Sequence, residues 1–224
     1  MPRTARAAPG GYVYHVINRG VGRQGLFFDE NDYAAFESII AETLEKRSMR
    51  ILAYCLMPNH WHFALWPEQD GDLGRFMQRL TVTHVTRWQK YRECVGYGHV
   101  YQGRYKSFLV DSDEYFYQVI RYVERNALRA NLVTKAEQWP WSSLWVRQFG
   151  DRDYQQMLSP WPIPRSRKWL EYVNRAETES ELTALRRSSN RGTPYGRAEW
   201  VNSMVKQFGL ESTVRQRGRP KKTS

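Results

Sequence analysis

His60-Trp61-His62 puts two imidazoles two residues apart in a stretch, residues 60–66, whose alternating character predicts a β-strand. Side chains alternate across a strand, so His60 and His62 project from one face and Trp61, Phe63 and Leu65 from the other. Two imidazoles on one face can converge on a divalent ion; the alternative is a pair of partly buried histidines satisfied by backbone. On a helix predicted over about 112–130, Tyr122 and Asn126 stack one turn apart. A phenol and a hard amide oxygen can then reach the same ion, of Mg²⁺ or Mn²⁺ type. Tyr115 lies seven residues before Tyr122, about 10.5 Å along a helix, and Tyr117 about 140° around it, so neither addresses the same point. Both read as amphipathic core. His15, His84 and His99 are assigned no ligand role.

These groups need a sheet and a helix to hold them. Gly11-Tyr-Val-Tyr-His-Val-Ile-Asn18 predicts a first strand, broken by Gly20, Gly22 and Gly25. Tyr33, Phe36, Ile39, Ile40 and Leu44, at spacings of three and four, predict a helix over 31–46. A strand over 50–57 follows, interrupted by Pro58-Asn59 before the histidine strand. Helix signals return over 72–94 and strand signals over 105–110, and Asp111-Ser-Asp-Glu114 is the expected N-cap of the tyrosine helix. The order β, α, β, β, α, β, α predicts an α+β sheet with helices packed on it. Trp139-Pro-Trp-Ser-Ser143 reads as an aromatic clamp at its edge. Pro160, Pro162 and Pro164 mark a linker, and helices are predicted over 180–187 and 198–208 with Gly209 as a C-cap.

Composition narrows the partner. With 41% hydrophobic residues and nine Trp, the chain has the material for a core, which excludes wholesale disorder. Cys55 and Cys94 form neither a disulfide framework nor a zinc knuckle, and the lack of Pro-Cys-X-X-Cys argues against a deaminase built on His60 and His62. No apolar run suits a membrane span and no secretion signal is present, so the expectation is a cytoplasmic protein without a membrane partner. The +11 charge favours a polyanion, and residues 165–224 carry 14 basic and 6 acidic residues, a net +8. Arg215, Arg217, Arg219, Lys221 and Lys222 surround a Gly-Arg-Pro like the core of an AT-hook, which reads the minor groove of A·T-rich duplex; a solvated basic tail is the alternative. Arg104 and Lys106 are candidates for holding DNA phosphate, or else an exposed basic strand edge.

Four motifs occur in order: Gly11-Tyr-Val-Tyr-His-Val-Ile-Asn-Arg-Gly20, Cys55-Leu-Met-Pro-Asn-His-Trp-His62, Gly103-Arg-Tyr-Lys106 and Arg121-Tyr-Val-Glu-Arg-Asn-Ala-Leu-Arg-Ala130. Over about residues 10–150 they resemble the REP-associated tyrosine transposases of the single-tyrosine HUH superfamily, which includes the IS200/IS605 transposases. The resemblance implies a ferredoxin-like HUH domain with a mainly antiparallel sheet over 1–150; the prolines and the charge distribution add a Pro-rich linker over 151–164 and a basic helical DNA-binding extension over 165–224. It also implies that His60, His62 and Asn126 bind Mg²⁺ or Mn²⁺ and that Tyr122 is the nucleophile. The implied activity is cleavage and rejoining of single-stranded DNA beside palindromic hairpins through a 5′-phosphotyrosine, by a monomer or homodimer. A non-catalytic DNA-binding protein or repressor with a relic metal site is the rival. Ala127 stands where the family often has proline and Asn131 where glycine is common, departures that bear on the end of the tyrosine helix.

Overall fold

The computed structural model describes residues 8–112 and 114–215. In chain order the main elements are β1 (Val13–Arg19), α1 (Glu30–Lys46), β2 (Arg50–Met57), β3 (His60–Trp66), α2 (Asp72–Tyr91), β4 (Lys106–Val110), α3 (Glu114–Glu124) and α4 (Asn126–Arg129). They continue with α5 (Ser143–Phe149), α6 (Arg152–Gln156), α7 (Trp169–Asn174), α8 (Glu179–Arg191), α9 (Ala198–Phe208) and α10 (Glu211–Val214). The four strands form one antiparallel sheet in the order β2-β3-β1-β4. The α+β fold of the sequence reading is therefore present, with α1 and α2 as the two crossovers of a ferredoxin-like arrangement.

Pleat alternation divides the sheet chemically. One face carries Tyr14, Val16, Tyr54, Leu56, Trp61, Phe63 and Leu65, buried against α1 and α2. Burying each of these large side chains contributes about 1.5–3 kcal/mol before ordering costs. Trp61 donates its indole N–H to Tyr101 Oη at 2.9 Å, and that hydroxyl meets His84 Nδ1 at 2.7 Å. His84 is thus a satisfied core residue. The opposite face carries His15, His60 and His62 beside Ala53, Cys55, Ala64 and Phe108, and α3 covers it. A one-residue slip of β3 would send the imidazoles into the α1–α2 core, so the register Ile17↔His62 and Arg19↔His60 fixes the site.

The chain covers both edges of this sheet. Along β2, Leu56 N–H bonds Trp141 O and Ser159 N–H bonds Ile51 O, while the indoles of Trp139 and Trp161 donate to Leu56 O and Leu52 O. Beside β4, Tyr195 N–H bonds Leu109 O, and Asp111 N–H bonds Tyr195 O, each at 2.8 Å. Asp111, expected to cap the tyrosine helix, instead spends its carboxylate on the Ser112 N–H and on the backbone and guanidinium of Arg197. The predicted single helix over 112–130 is two helices, because Arg125 leaves the helical region at φ −86° and ψ 0°.

Candidate active site

The site is assembled where α3 crosses the imidazole face. The His60 and His62 rings lie 5.1 Å apart, centroid to centroid, and the Tyr122 ring meets His62 edge-on at 5.7 Å. These contacts place the Tyr122 ring of α3 beside the His62 ring of β3. Asn126 begins α4, buried one turn beyond Tyr122, and Arg129 ties the two together. Its Nη2 donates to Asn126 Oδ1 at 2.9 Å and to the Tyr122 carbonyl at 3.3 Å, and its guanidinium lies 4.1 Å from the Tyr122 ring centroid. Arg125 and Arg129 both grip the buried Glu177, at 3.2 and 2.6 Å. An acid between α7 and α8 thereby locks the turn that carries Tyr122 and Asn126.

The imidazoles are held in their neutral form. Burial, reinforced by Arg19 and Arg129, depresses the His60 pKa to about 3. His62 is lowered well below the usual range by burial, then by His15, His60 and the two arginines. His15, fully buried, has a pKa lowered to about 3 by burial and by Arg129. Each of the paired histidines has one nitrogen engaged: His60 Nδ1 with Asn59 Oδ1 at 2.6 Å, and His62 Nδ1 with His15 Nε2 at 2.8 Å. That pattern leaves Nε2 of each for a ligand and fixes ring orientation from behind.

His60, His62 and Asn126 are neutral nitrogen and oxygen donors of the kind a divalent ion accepts. Asn126 Oδ1 retains a second lone pair beyond its Arg129 bond, and Asn126 Nδ2 is buried without a partner, so the amide is not fully spent on the protein. Among the described residues, no group of three or more His, Cys, Asp or Glu side chains is arranged to hold a metal, so an ion here relies on neutral imidazole and amide donors. Glu177, shared with Arg125, offsets part of the charge of Arg129, while the Arg19 charge beside His60 has no carboxylate against it.

Tyr122 opens on a cleft of about 490 Å³ lined by Arg19, Arg104, Lys106 and Arg186, with Asn18 and Asn190 and without a carboxylate. Through Asn18, Gln102, Gly103, Arg104 and Lys106 this cleft continues into a groove of about 980 Å³ along α2. Arg104 precedes β4 and Lys106 begins it, and both line the two hollows. Arg215 lies apart from them, exposed, its carbonyl accepting from Arg191. Arg217, Arg219, Lys221 and Lys222 lie outside the described residues.

Residues 10–126, just over half of the chain, match the family model described as "Transposase IS200 like". The chain belongs to the IS200-like transposase family. No curated protein sequence matches it. Among solved structures, this transposase-family chain is similar to a REP-associated tyrosine transposase bound to a REP hairpin. The match is 18% identical with a TM-score of 0.53 and covers 80% of this chain and 93% of that one. A putative transposase from Deinococcus radiodurans R1 also matches, at 14% identity and a TM-score of 0.38, over 58% of this chain and 92% of that one.

Several site residues were not singled out from sequence. Arg129 lies seven residues after Tyr122, two helical turns on the same face, and Arg19 alternates with His15 and Ile17 on β1, so both carried a periodicity signal. Glu177 and Arg186 carried none, because only the folded chain brings residues 177 and 186 to α3 and β4.

Proposed function

We propose that the chain cleaves and rejoins single-stranded DNA, with Tyr122 as the nucleophile and the 5′-phosphate carried on its oxygen between the two steps. The observation that carries this reading is Tyr122, its ring 5.7 Å from His62, lining a cleft whose charged residues are all cationic. His60, His62 and Asn126 would hold a divalent ion, Mg²⁺ or Mn²⁺. The chemistry that ion supplies when bound is polarisation of a phosphoryl oxygen, which suits attack by a weak nucleophile such as a phenol. The chain's own residues do the rest. Arg129 stacks on the phenol ring and holds it toward the imidazoles; Arg104 and Lys106 hold flanking phosphates and set the strand's path into the groove along α2. A phosphotyrosine conserves the phosphodiester's energy for rejoining, so no nucleotide cofactor enters the reaction.

The matched REP-associated transposase was solved on a REP hairpin, which supports a single strand beside a palindromic hairpin as substrate. In this reading one copy holds the imidazole pair and the tyrosine together, so a monomer is competent, and the basic segment from Arg215 onward adds duplex affinity. No helix among the described residues is long and apolar enough to cross a membrane.

A labelled hairpin oligonucleotide incubated with Mg²⁺ or Mn²⁺ should yield a protease-sensitive covalent complex. Tyr122→Phe should abolish that complex and keep oligonucleotide binding, and chelation should stop wild-type cleavage. Binding without any adduct under both metals would favour a non-catalytic DNA-binding protein; an adduct from Tyr122→Phe would remove Tyr122 from its role.

A further inference from the structure

Arg19 ends β1 as the Cα partner of His60, on the imidazole face of the sheet. Neighbouring arginines have carboxylate partners: Arg125 and Arg129 share the single charge of Glu177, and Arg121 holds Glu181 at 2.8 Å. Arg19 forms no ion pair with a carboxylate among the described residues, and its Nε is buried without a hydrogen-bond partner. It lines the same cleft as Tyr122, where no acid faces it. Arg121 and Arg125 also have a buried, unpartnered Nε, so what sets Arg19 apart is the missing carboxylate: an unpaired guanidinium lining an acid-free cleft has an anion arriving from solvent as its complement. The non-bridging oxygens of a phosphodiester match the fork geometry of guanidinium.

We propose that Arg19 is a catalytic residue that binds a non-bridging oxygen of the scissile phosphodiester and stabilises the phosphoryl transition state. This rests on the reading of Tyr122 as the nucleophile. The Tyr122 Oη–P bond forms as the P–O3′ bond breaks, the phenol proton passes to solvent, and the departing 3′ oxygen takes a proton from solvent. The phosphorus remains a singly charged diester, now on tyrosine. Charge on its non-bridging oxygens rises at the transition state, so a fixed guanidinium there acts on rate more than on binding.

The test compares wild type, Arg19→Ala and Arg19→Lys in single-turnover adduct formation on a labelled hairpin oligonucleotide with Mn²⁺, with Kd read by fluorescence anisotropy. Arg19→Ala should slow adduct formation by about 100-fold while Kd moves by less than about threefold. Arg19→Lys, a point charge without the fork, should fall between. On an oligonucleotide with a methylphosphonate at the scissile position, one anionic oxygen is gone, and the Arg19→Ala penalty should shrink to within about threefold. An active wild type matched in rate by Arg19→Ala, or the same penalty on both substrates, overturns this proposal alone. A wild type that forms no adduct overturns the nucleophile reading, and this proposal falls with it.

Discussion

Removing the Glu177 carboxylate is the sharpest test of how the tyrosine turn is held. Its side chain is 1% exposed and is shared by Arg125 and Arg129, themselves 13% and 17% exposed. Glu177→Ala leaves two guanidinium groups at a nearly dry point with no counter-charge, a situation that costs about 3–5 kcal/mol. The lower end, about 3 kcal/mol, applies because both arginines keep some water and Arg129 retains its bonds to Asn126 and Tyr122. In a chain of this length that corresponds to a fall in Tm of roughly 6–12 °C. Glu42 and Arg87 provide an internal control: their oxygens and nitrogens meet at 2.7 Å, yet the side chains are 46% and 52% exposed. Glu42→Ala should cost less than about 1 kcal/mol, since burial and not distance sets the scale. Urea titration of both variants, with Glu177→Gln as a version that keeps the shape, reads the difference. A Glu177→Ala loss below about 0.5 kcal/mol, or equal losses at the two sites, would refute the argument.

Glu37 makes stability depend on pH. Burial raises its pKa from 4.5 to about 7 against the opposing Tyr54 hydrogen bond at 2.6 Å. The folded carboxyl holds its proton more tightly than the unfolded one, so this contribution is full below pH 4.5 and is lost as pH rises through about 7. At 1.36 kcal/mol per pH unit, Glu37→Gln should gain about 3 kcal/mol on wild type between pH 4.5 and 8, read from urea titrations at each pH; parallel pH profiles would contradict it. Asn131 has φ of 56°, a left-handed residue just past α4. Asn131→Gly should change stability by at most about 1 kcal/mol in the favourable direction and Asn131→Ala should lose about 1 kcal/mol, checked by thermal melts.

The imidazole pair was legible because strand alternation places side chains without reference to anything distant, and Asn126 still follows Tyr122 by one turn because the chain departs from the helix at the single residue Arg125. The Asn131 departure also resolves locally: asparagine tolerates the left-handed conformation that glycine commonly supplies. The break at Arg125 escaped notice because apolar spacing carries no sign of one residue's dihedral change. Asp111 has the composition of a cap, yet its partner Arg197 is 86 residues away. Glu177 likewise acts across the chain, on arginines that a helical wheel assigns only to a surface.

The occupied sheet edges constrain how copies of this chain can meet. On β2 the Ile51, Leu52 and Leu56 carbonyls and the Leu56 amide are taken by Ser159, Trp141 and two indole rings, and beside β4 the Leu109 carbonyl and Asp111 amide are taken by Tyr195. A second copy adding a strand along β2, or at the Leu109–Asp111 end of β4, would first have to displace segments of this chain's own backbone and indoles.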